Sequence, residues 1–182
     1  MKKTVNLAIA GFRHGHIYSL FELARQSSDV TIVGGWEEYE PDKKSAEKRG
    51  VVFTYDTYED LLADPNVDAV AIGNYYSARG NMVIAALQAG KHVIVDKPIC
   101  ISLEELQQIK SLQKESKLQV FAMLDLRFHP AVQAAKELIE RGEIGDVNNV
   151  YFGGQHPLML GSRASWYFEE YVSLIHKNTV EP

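Results

Sequence analysis

Short apolar runs that alternate with stretches of helical period constrain this chain more than any other feature. Val5–Ala10, Val30–Trp36, Val51–Thr54, Ala69–Ile72, the run after Gly90 and Leu118–Met123 read as six strands. Between them lie helical segments: Ile17–Ala24 with Ile17, Leu20, Phe21 and Leu23 inward, a short charged helix from Pro41 to Gly50, Tyr58–Leu62, Asn81–Gln88, and Ser102 to about Glu115. Ser102 with Glu105 three residues on forms a capping box. Strand runs without a polar alternate are those of a sheet covered on both faces, so the expected fold class is α/β, a doubly wound parallel sheet. With 182 residues the chain can bury one good core and part of a second.

Parallel sheets of this kind receive ligands outside the carboxyl ends of their strands. Two stretches place chemistry there. The first is Gly90-Lys91-His92-Val93-Ile94-Val95-Asp96-Lys97-Pro98, where a buried strand ends in a carboxylate, an amine and a proline. Lys97 is a candidate active-site amine; the alternative is a solvated turn, since Asp and Pro are common turn formers. The second is Gly11-Phe12-Arg13-His14-Gly15-His16, behind the first strand. A dinucleotide site needs a glycine for the tight turn and a helix N-terminus aimed at the phosphates. Gly11 meets the first need, while Arg13 and His16 stand where the second and third glycines belong. Arg13, His14 and His16 supply donors near the expected phosphates, and Glu37 or Glu38 ends the second strand, where a carboxylate can take ribose hydroxyls. An ordinary strand-to-helix turn and a solvated acidic loop are the plain alternatives.

Composition excludes several other classes. A net charge of -5 speaks against a nucleic-acid partner, and no run approaches the about 18 apolar residues of a membrane helix. Cys100 is the only cysteine, so no internal disulfide or thiolate metal cluster is expected, and a reducing cytoplasm is the simplest setting. No metal ligands are assigned.

The segments Val5-Asn6-Leu7-Ala8-Ile9-Ala10-Gly11, Tyr58-Glu59-Asp60-Leu61-Leu62-Ala63-Asp64-Pro65-Asn66-Val67-Asp68-Ala69-Val70 and Ala85-Ala86-Leu87-Gln88-Ala89-Gly90-Lys91-His92-Val93-Ile94-Val95-Asp96-Lys97-Pro98 together resemble the Gfo/Idh/MocA oxidoreductases. The likeness continues through Arg127-Phe128-His129-Pro130 and Gly142-Glu143-Ile144-Gly145, to about residue 168. It implies a Rossmann-type domain over residues 1–124 followed by a partial C-terminal α/β domain over 125–182, with NAD, or alternatively NADP, as cofactor and a polyol or sugar-like small molecule as substrate. By the same resemblance Lys97 is the lysine of the family's Glu-Lys-Pro motif, beside the nicotinamide and the reacting hydroxyl, with Asp96 where that motif has Glu. Gly73-Asn74-Tyr75 takes the place of the loop after the fourth strand, with Asn74 and Tyr75 as cofactor-binding candidates; Tyr75 and Tyr76 would border the nicotinamide pocket, although two aromatics at a strand end are as often plain packing, and Arg79 falls at about a position where the family has His. A cis bond before Pro98 is expected, proline alone making that form cheap.

Departures from the pattern limit how far the resemblance reaches. After Leu124 the sequence offers one amphipathic helix from His129-Pro130, with Val132, Ala135, Leu138 and Ile139 on one face, and a strand at Val147–Phe152. Trp166-Tyr167-Phe168 resembles the approach to the family's Asp-x-x-x-His constellation, yet Val172 stands four residues before His176, and His156 has no evident partner. The expectation is a truncated chain that binds cofactor without appreciable turnover by itself and whose C-terminal segment favours self-association, as a homo-oligomer, or disorder; a non-catalytic dinucleotide-binding protein is the alternative. A flavodoxin-like binding domain shares the alternation but not the Gly11 and Lys97 stretches together.

Overall fold

The structure, a computed structural model, describes residues 4–151 together with Gly153 and Gly161. The described residues fall into two compact units that divide between Met123 and Leu124. In the first, five parallel strands, β1 (Val5–Ala10), β2 (Val30–Trp36), β3 (Ala69–Ile72), β4 (His92–Asp96) and β5 (Val120–Met123), form one sheet in the order β2-β1-β3-β4-β5. The chain leaves β1 for one edge and returns to its other side at β3, so the direction of winding reverses between them. That reversal opens a crevice at the carboxyl ends of β1 and β3.

Period-two alternation distributes the strand side chains between two cores. Leu7, Ile9, Ala69 and Ala71 face one way and pack with Phe12, Ile17, Phe21 and Ala24, the latter three from α1 (His16–Gln26). Ala8, Ala10, Val70, Ile72, Val93 and Val95 face the other way. They meet α3 (Tyr58–Ala63), α4 (Tyr76–Gln88) and α5 (Leu103–Ser116) through Leu61, Val83, Ala86, Leu87 and Ile109. Each Ile or Phe so buried contributes about 1.5–3 kcal/mol, which is why the short α1 holds against the sheet without a side-chain cap. Helix α2 (Glu40–Glu47) carries Pro41 in its first turn, as its sequence implies.

Several expectations are corrected. Val51–Thr54 is not a full strand: Phe53 alone bridges Gly35, and the N–H groups of both Thr54 and Tyr55 converge on the Gly35 carbonyl instead of forming a ladder. Leu23 is exposed, because a period of 3.6 from Ile17 and Phe21 turns Ala24 inward in its place. Helix α4 begins at Tyr76, five residues earlier than the sequence reading. The early turn is held by Arg79, whose side chain finds buried partners that make helix there favourable. The capping box at Ser102 and Glu105 is present, and a second one, Thr57 with Asp60, opens α3.

Two residues of the Lys97 stretch turn out to be structural. Lys91 is buried, its Nζ donating to the carbonyls of Asp64 (2.7 Å) and Val67 (2.9 Å) and so closing the loop between α3 and β3. His92 Nδ1 accepts from the Gln119 N–H at 3.0 Å, fixing the start of β5 beside β4.

Helices α4 and α5 meet at Gly80. A Cβ there would lie 2.3–2.6 Å from the Glu105 carboxyl atoms, so glycine leaves the capping carboxylate its place between the helices.

The second unit holds a 3₁₀ turn at Asp125–Phe128 and α6 (Pro130–Glu140), whose N-cap is His129. Val132, Leu138 and Ile139 of α6 are 40–47% exposed. Val147–Tyr151 forms no strand, since no partner ladder engages it among the described residues. Phe152, His156, Trp166–Phe168 and His176 lie outside the described residues.

Candidate functional site around Asp96

The carboxyl ends of β1, β2, β3 and β4 converge in one unit, and each brings part of the predicted site. Gly11 follows β1 with φ +84°. Any Cβ there would stand 2.7 Å from the Asn74 nitrogen and 2.8 Å from its Cα, so the turn can approach the β3 loop this closely only as glycine. Cross-links tie the turn down: the Gly11 N–H donates to Trp36 O at 2.9 Å and the Arg13 N–H to Gly73 O at 3.1 Å. Helix α1 then starts with Gly15 at its N-cap and no side chain capping it.

Glu37 comes to this turn, but it points into the protein. Its side chain is 0% exposed. The Phe12 N–H donates to Oε2 at 2.6 Å, and Oε1 accepts from the Tyr39 N–H at 2.8 Å and from Arg13 Nε at 3.0 Å. Arg13 also lies 3.6 Å from Glu38 and 3.7 Å from Asp42, with its guanidinium over the rings of Tyr39 (4.4 Å to the centroid) and Tyr75 (5.3 Å). One cation therefore sits among three carboxylates. Burial and the neighbouring Glu37 raise the Asp42 pKa above the ordinary carboxylate value, with Arg13 opposing them.

Asp96 is the centre of the other half. It is fully buried at the end of β4, where Arg79 Nη2 donates to Oδ2 at 3.0 Å and the Lys97 N–H to Oδ1 at 2.8 Å. His16 Nδ1 is 3.0 Å from Oδ1. His14 Nδ1 approaches Oδ2 to 2.8 Å but without the geometry of a hydrogen bond. Burial by itself would raise the Asp96 pKa; the close histidines and the Arg79 charge outweigh it and hold the carboxyl well below its usual range. Arg79 is itself 0% exposed, and burial lowers its pKa while Asp96 works against that fall. Its Nε donates to Asn74 O at 2.7 Å and Nη1 to Lys97 O at 2.5 Å, so one guanidinium fixes the ends of both β3 and β4. Lys97 is half-buried at the strand end, and its peptide bond to Pro98 is cis. Asn74 is buried, its Nδ2 donating to Met82 Sδ at 3.4 Å and its Oδ1 accepting from the Tyr75 N–H at 2.8 Å.

The structure thus gathers Gly11, Phe12, Arg13, His14, Gly15, His16, Glu37, Asn74, Tyr75, Asp96 and Lys97 around one crevice end. The weight of Arg79 is not evident from a motif. The available signal is its spacing: residue 79 shares a helix face with Val83 and Ala86, both buried, and a cation on such a face requires a carboxylate partner. Tyr39, under the Arg13 guanidinium, carries no signal of this kind.

Residues 5–124 match a family model, Gfo/Idh/MocA, described as an oxidoreductase family with an NAD-binding Rossmann fold. The chain belongs to this family. Among curated relatives, it is 28% identical over 177 residues to an uncharacterized oxidoreductase of Synechocystis sp., covering 92% of this chain and 46% of that one. It is 39% identical over 99 residues to the scyllo-inositol 2-dehydrogenase (NAD(+)) of Bacillus subtilis, covering 54% of this chain and 28% of that one. The solved structure of an NAD-binding protein from Listeria innocua superposes with a TM-score of 0.71 at 28% identity, over 79% of this chain and 41% of the other. The chain spans less than half the length of these Gfo/Idh/MocA relatives. Among its described residues no helix is long and apolar enough to cross a membrane.

The cofactor named in the family description fits the residues present at the turn after β1. The Gly11 turn has the close backbone approach that a pyrophosphate needs, and the start of α1 is uncapped. Arg13, in place of the second glycine, folds back onto Glu37 and leaves the backbone of the turn uncovered by its own side chain.

Proposed function

We propose that residues 1–124 of this Gfo/Idh/MocA chain bind NAD at the crevice between β1 and β3, and that the whole protein oxidises or reduces a hydroxyl of a polyol or sugar-like small molecule in the cytoplasm. The observation that carries the reading is the junction at Asp96: one carboxylate ties the Gly11–His16 turn to the strand end that bears Lys97. On this reading the start of α1 with His14 and His16 takes the pyrophosphate, and Asn74, Tyr75 and Lys97 border the nicotinamide. When bound, NAD supplies the hydride acceptor or donor. The chain's own part is positional and electrostatic. An ammonium at Lys97 Nζ beside the reacting hydroxyl stabilises a developing alkoxide and can relay its proton. The Lys97 backbone is suited to this, being held on one side by its N–H to Asp96 and on the other by its carbonyl to Arg79.

NAD is favoured over NADP. Glu37 is too fully engaged to accept ribose hydroxyls without losing its present donors, but the surroundings it creates still discriminate. Arg13 is shared among Glu37, Glu38 and Asp42, and the Glu38 side chain is 51% exposed, so a 2′-phosphate would meet net negative charge. Residues 125–182 belong, on this reading, to the substrate side and to contacts with a second copy.

Titration of the purified chain with NADH and NADPH by fluorescence tests the proposal. The expected result is saturable NADH binding, weaker NADPH binding, and nearly unchanged NADH affinity in Lys97→Ala. Absence of NADH binding by the folded protein would refute the cofactor reading, and equal or tighter NADPH binding would refute the preference.

A further inference from the structure

We propose that His14, His16 and Asp96 form a binding site for a divalent transition cation of the Zn²⁺ type, with one coordination position left open to solvent. Two imidazoles and a carboxylate are the donor set such cations select, and three protein ligands with a free fourth position is the arrangement of reactive rather than purely structural sites. The residues come from two places 80 positions apart in the chain, the turn after β1 and the end of β4, and the sheet brings them together.

Distances support the assignment. One ligand atom from each of the three residues lies within 4.8 Å of the other two. His14 Nδ1 stands 2.8 Å from Asp96 Oδ2 and His16 Nδ1 3.0 Å from Oδ1. Ligand bonds of about 2.0–2.2 Å in a tetrahedron require donor separations of about 3.3–3.6 Å, so each histidine has to withdraw from the carboxylate by only about half an ångström. The rings are already edge to face, with centroids 4.5 Å apart, and so do not block one another.

The environment of His14 points the same way. His14 Nδ1 is buried at its tip and stands at ion-pair distance from the Asp96 carboxylate, 2.8 Å, without good hydrogen-bond geometry. Buried polar atoms are ordinarily paired. The outer contacts are also those of a ligand-orienting shell: Arg79 and the Lys97 N–H each donate to one oxygen of the Asp96 carboxylate and so fix its orientation. Access exists, since the His14 and His16 side chains are 17% and 31% exposed.

The Arg79 guanidinium, 3.0 Å from Oδ2, repels an incoming dication and sets the expected strength at micromolar rather than the far tighter binding of closed structural sites. The inference places the cation on two of the side chains that the dinucleotide reading assigns to the pyrophosphate; its test uses the metal alone, so that its failure and the failure of that reading are distinguishable.

The full chain, stripped with chelator, is titrated with ZnCl₂ by calorimetry near neutral pH, and with CoCl₂ by visible absorption. One equivalent is expected to bind at micromolar affinity, with Co²⁺ giving the ligand-field bands of a site with nitrogen and oxygen donors. His16→Ala and the double variant His14→Gln/His16→Gln each remove direct ligands and are expected to weaken binding by at least the about 10-fold to 100-fold that the loss of an outer-shell partner costs. His129→Ala, remote in the chain and outside the cluster, is expected to bind like the parent. Circular dichroism identifies any variant that is not folded; the half-exposed His16 makes its single variant the more secure one. No saturable binding by the parent at metal concentrations up to about 100-fold above a micromolar Kd, corresponding to a deficit of about 2.7 kcal/mol, overturns the proposal. Parent-like binding by folded His16→Ala or by the double variant overturns it equally, by assigning the metal to other histidines.

Discussion

Replacing Arg79 by methionine removes a charge while keeping much of the side-chain length, and the structure states what is then stranded. Three hydrogen bonds go, to Asn74 O, Lys97 O and Asp96 Oδ2, from a side chain with 0% exposure. Asp96 stays buried with its charge reduced to the support of the two histidines and the Lys97 N–H. Removing one partner of a buried ion pair costs about 3–5 kcal/mol, and the remaining imidazoles place this case near the lower end. A domain of this size holds about 5–15 kcal/mol in total, so Arg79→Met uses up a large part of it. With about 3–6 °C of melting temperature per kcal/mol, the expected fall is about 10–18 °C. Thermal and urea unfolding followed by circular dichroism at pH 7 measure it. Adding Asp96→Asn should restore part of the loss, because the pair is then removed together, with a coupling of about 1 kcal/mol or more. A fall of less than about 3 °C, or strictly additive single and double variants, would refute the reasoning that Arg79 compensates Asp96.

Stability of the first unit should decline as pH falls below about 4: the folded state holds the Asp96 carboxyl below its ordinary range, so the unfolded chain takes up the proton first, and the contribution is complete above that pH and lost beneath it. Asp96→Asn should flatten the slope of unfolding free energy between pH 5 and pH 3, as urea titrations at each pH would record. Gly11→Ala should cost at least about 1–2 kcal/mol from the backbone conformation alone, before the contact with Asn74 is counted, and should weaken NADH binding; an unchanged melting temperature would contradict this. Gly80→Ala should lower the melting temperature even though alanine normally gains about 1 kcal/mol inside a helix, because the new Cβ displaces the Glu105 carboxylate from its cap; a net gain would show that the cap adjusts freely.

The sheet is legible from sequence because its strands are buried on both faces and leave unbroken apolar runs; Ala69–Ile72 needs no further evidence. Val51–Thr54 misleads for the same reason: an apolar run does not reveal whether a neighbour offers a ladder, and Gly34 and Gly35 offer only one bridge. At the site, residue identities can be read at Gly11, Asp96 and Lys97, whose positions at strand ends follow from the topology. Which acceptor is used cannot. Glu37 ends β2 as expected, but its inward turn depends on the Phe12 N–H and on Arg13, which lie 25 and 24 residues away in sequence. The same holds for Arg79, which shows its role only when β3 and β4 are placed side by side.

The four-way meeting at Asp96 has a consequence for how such a site can diverge. Residues 14, 16, 79 and 96 share one small volume, so a change at any of them is judged against the other three. Lengthening Asp96 by one methylene, toward the glutamate of the related motif, would drive a carboxylate into both imidazoles unless positions 14 and 16 had already become small. Shrinking the histidines first would leave the shorter aspartate with less support. Exchange between the two arrangements therefore runs through compensated intermediates rather than single steps, and a laboratory lineage selected for tighter dinucleotide binding should acquire substitutions at 14, 16 and 96 as linked sets, with Arg79 retained in all of them.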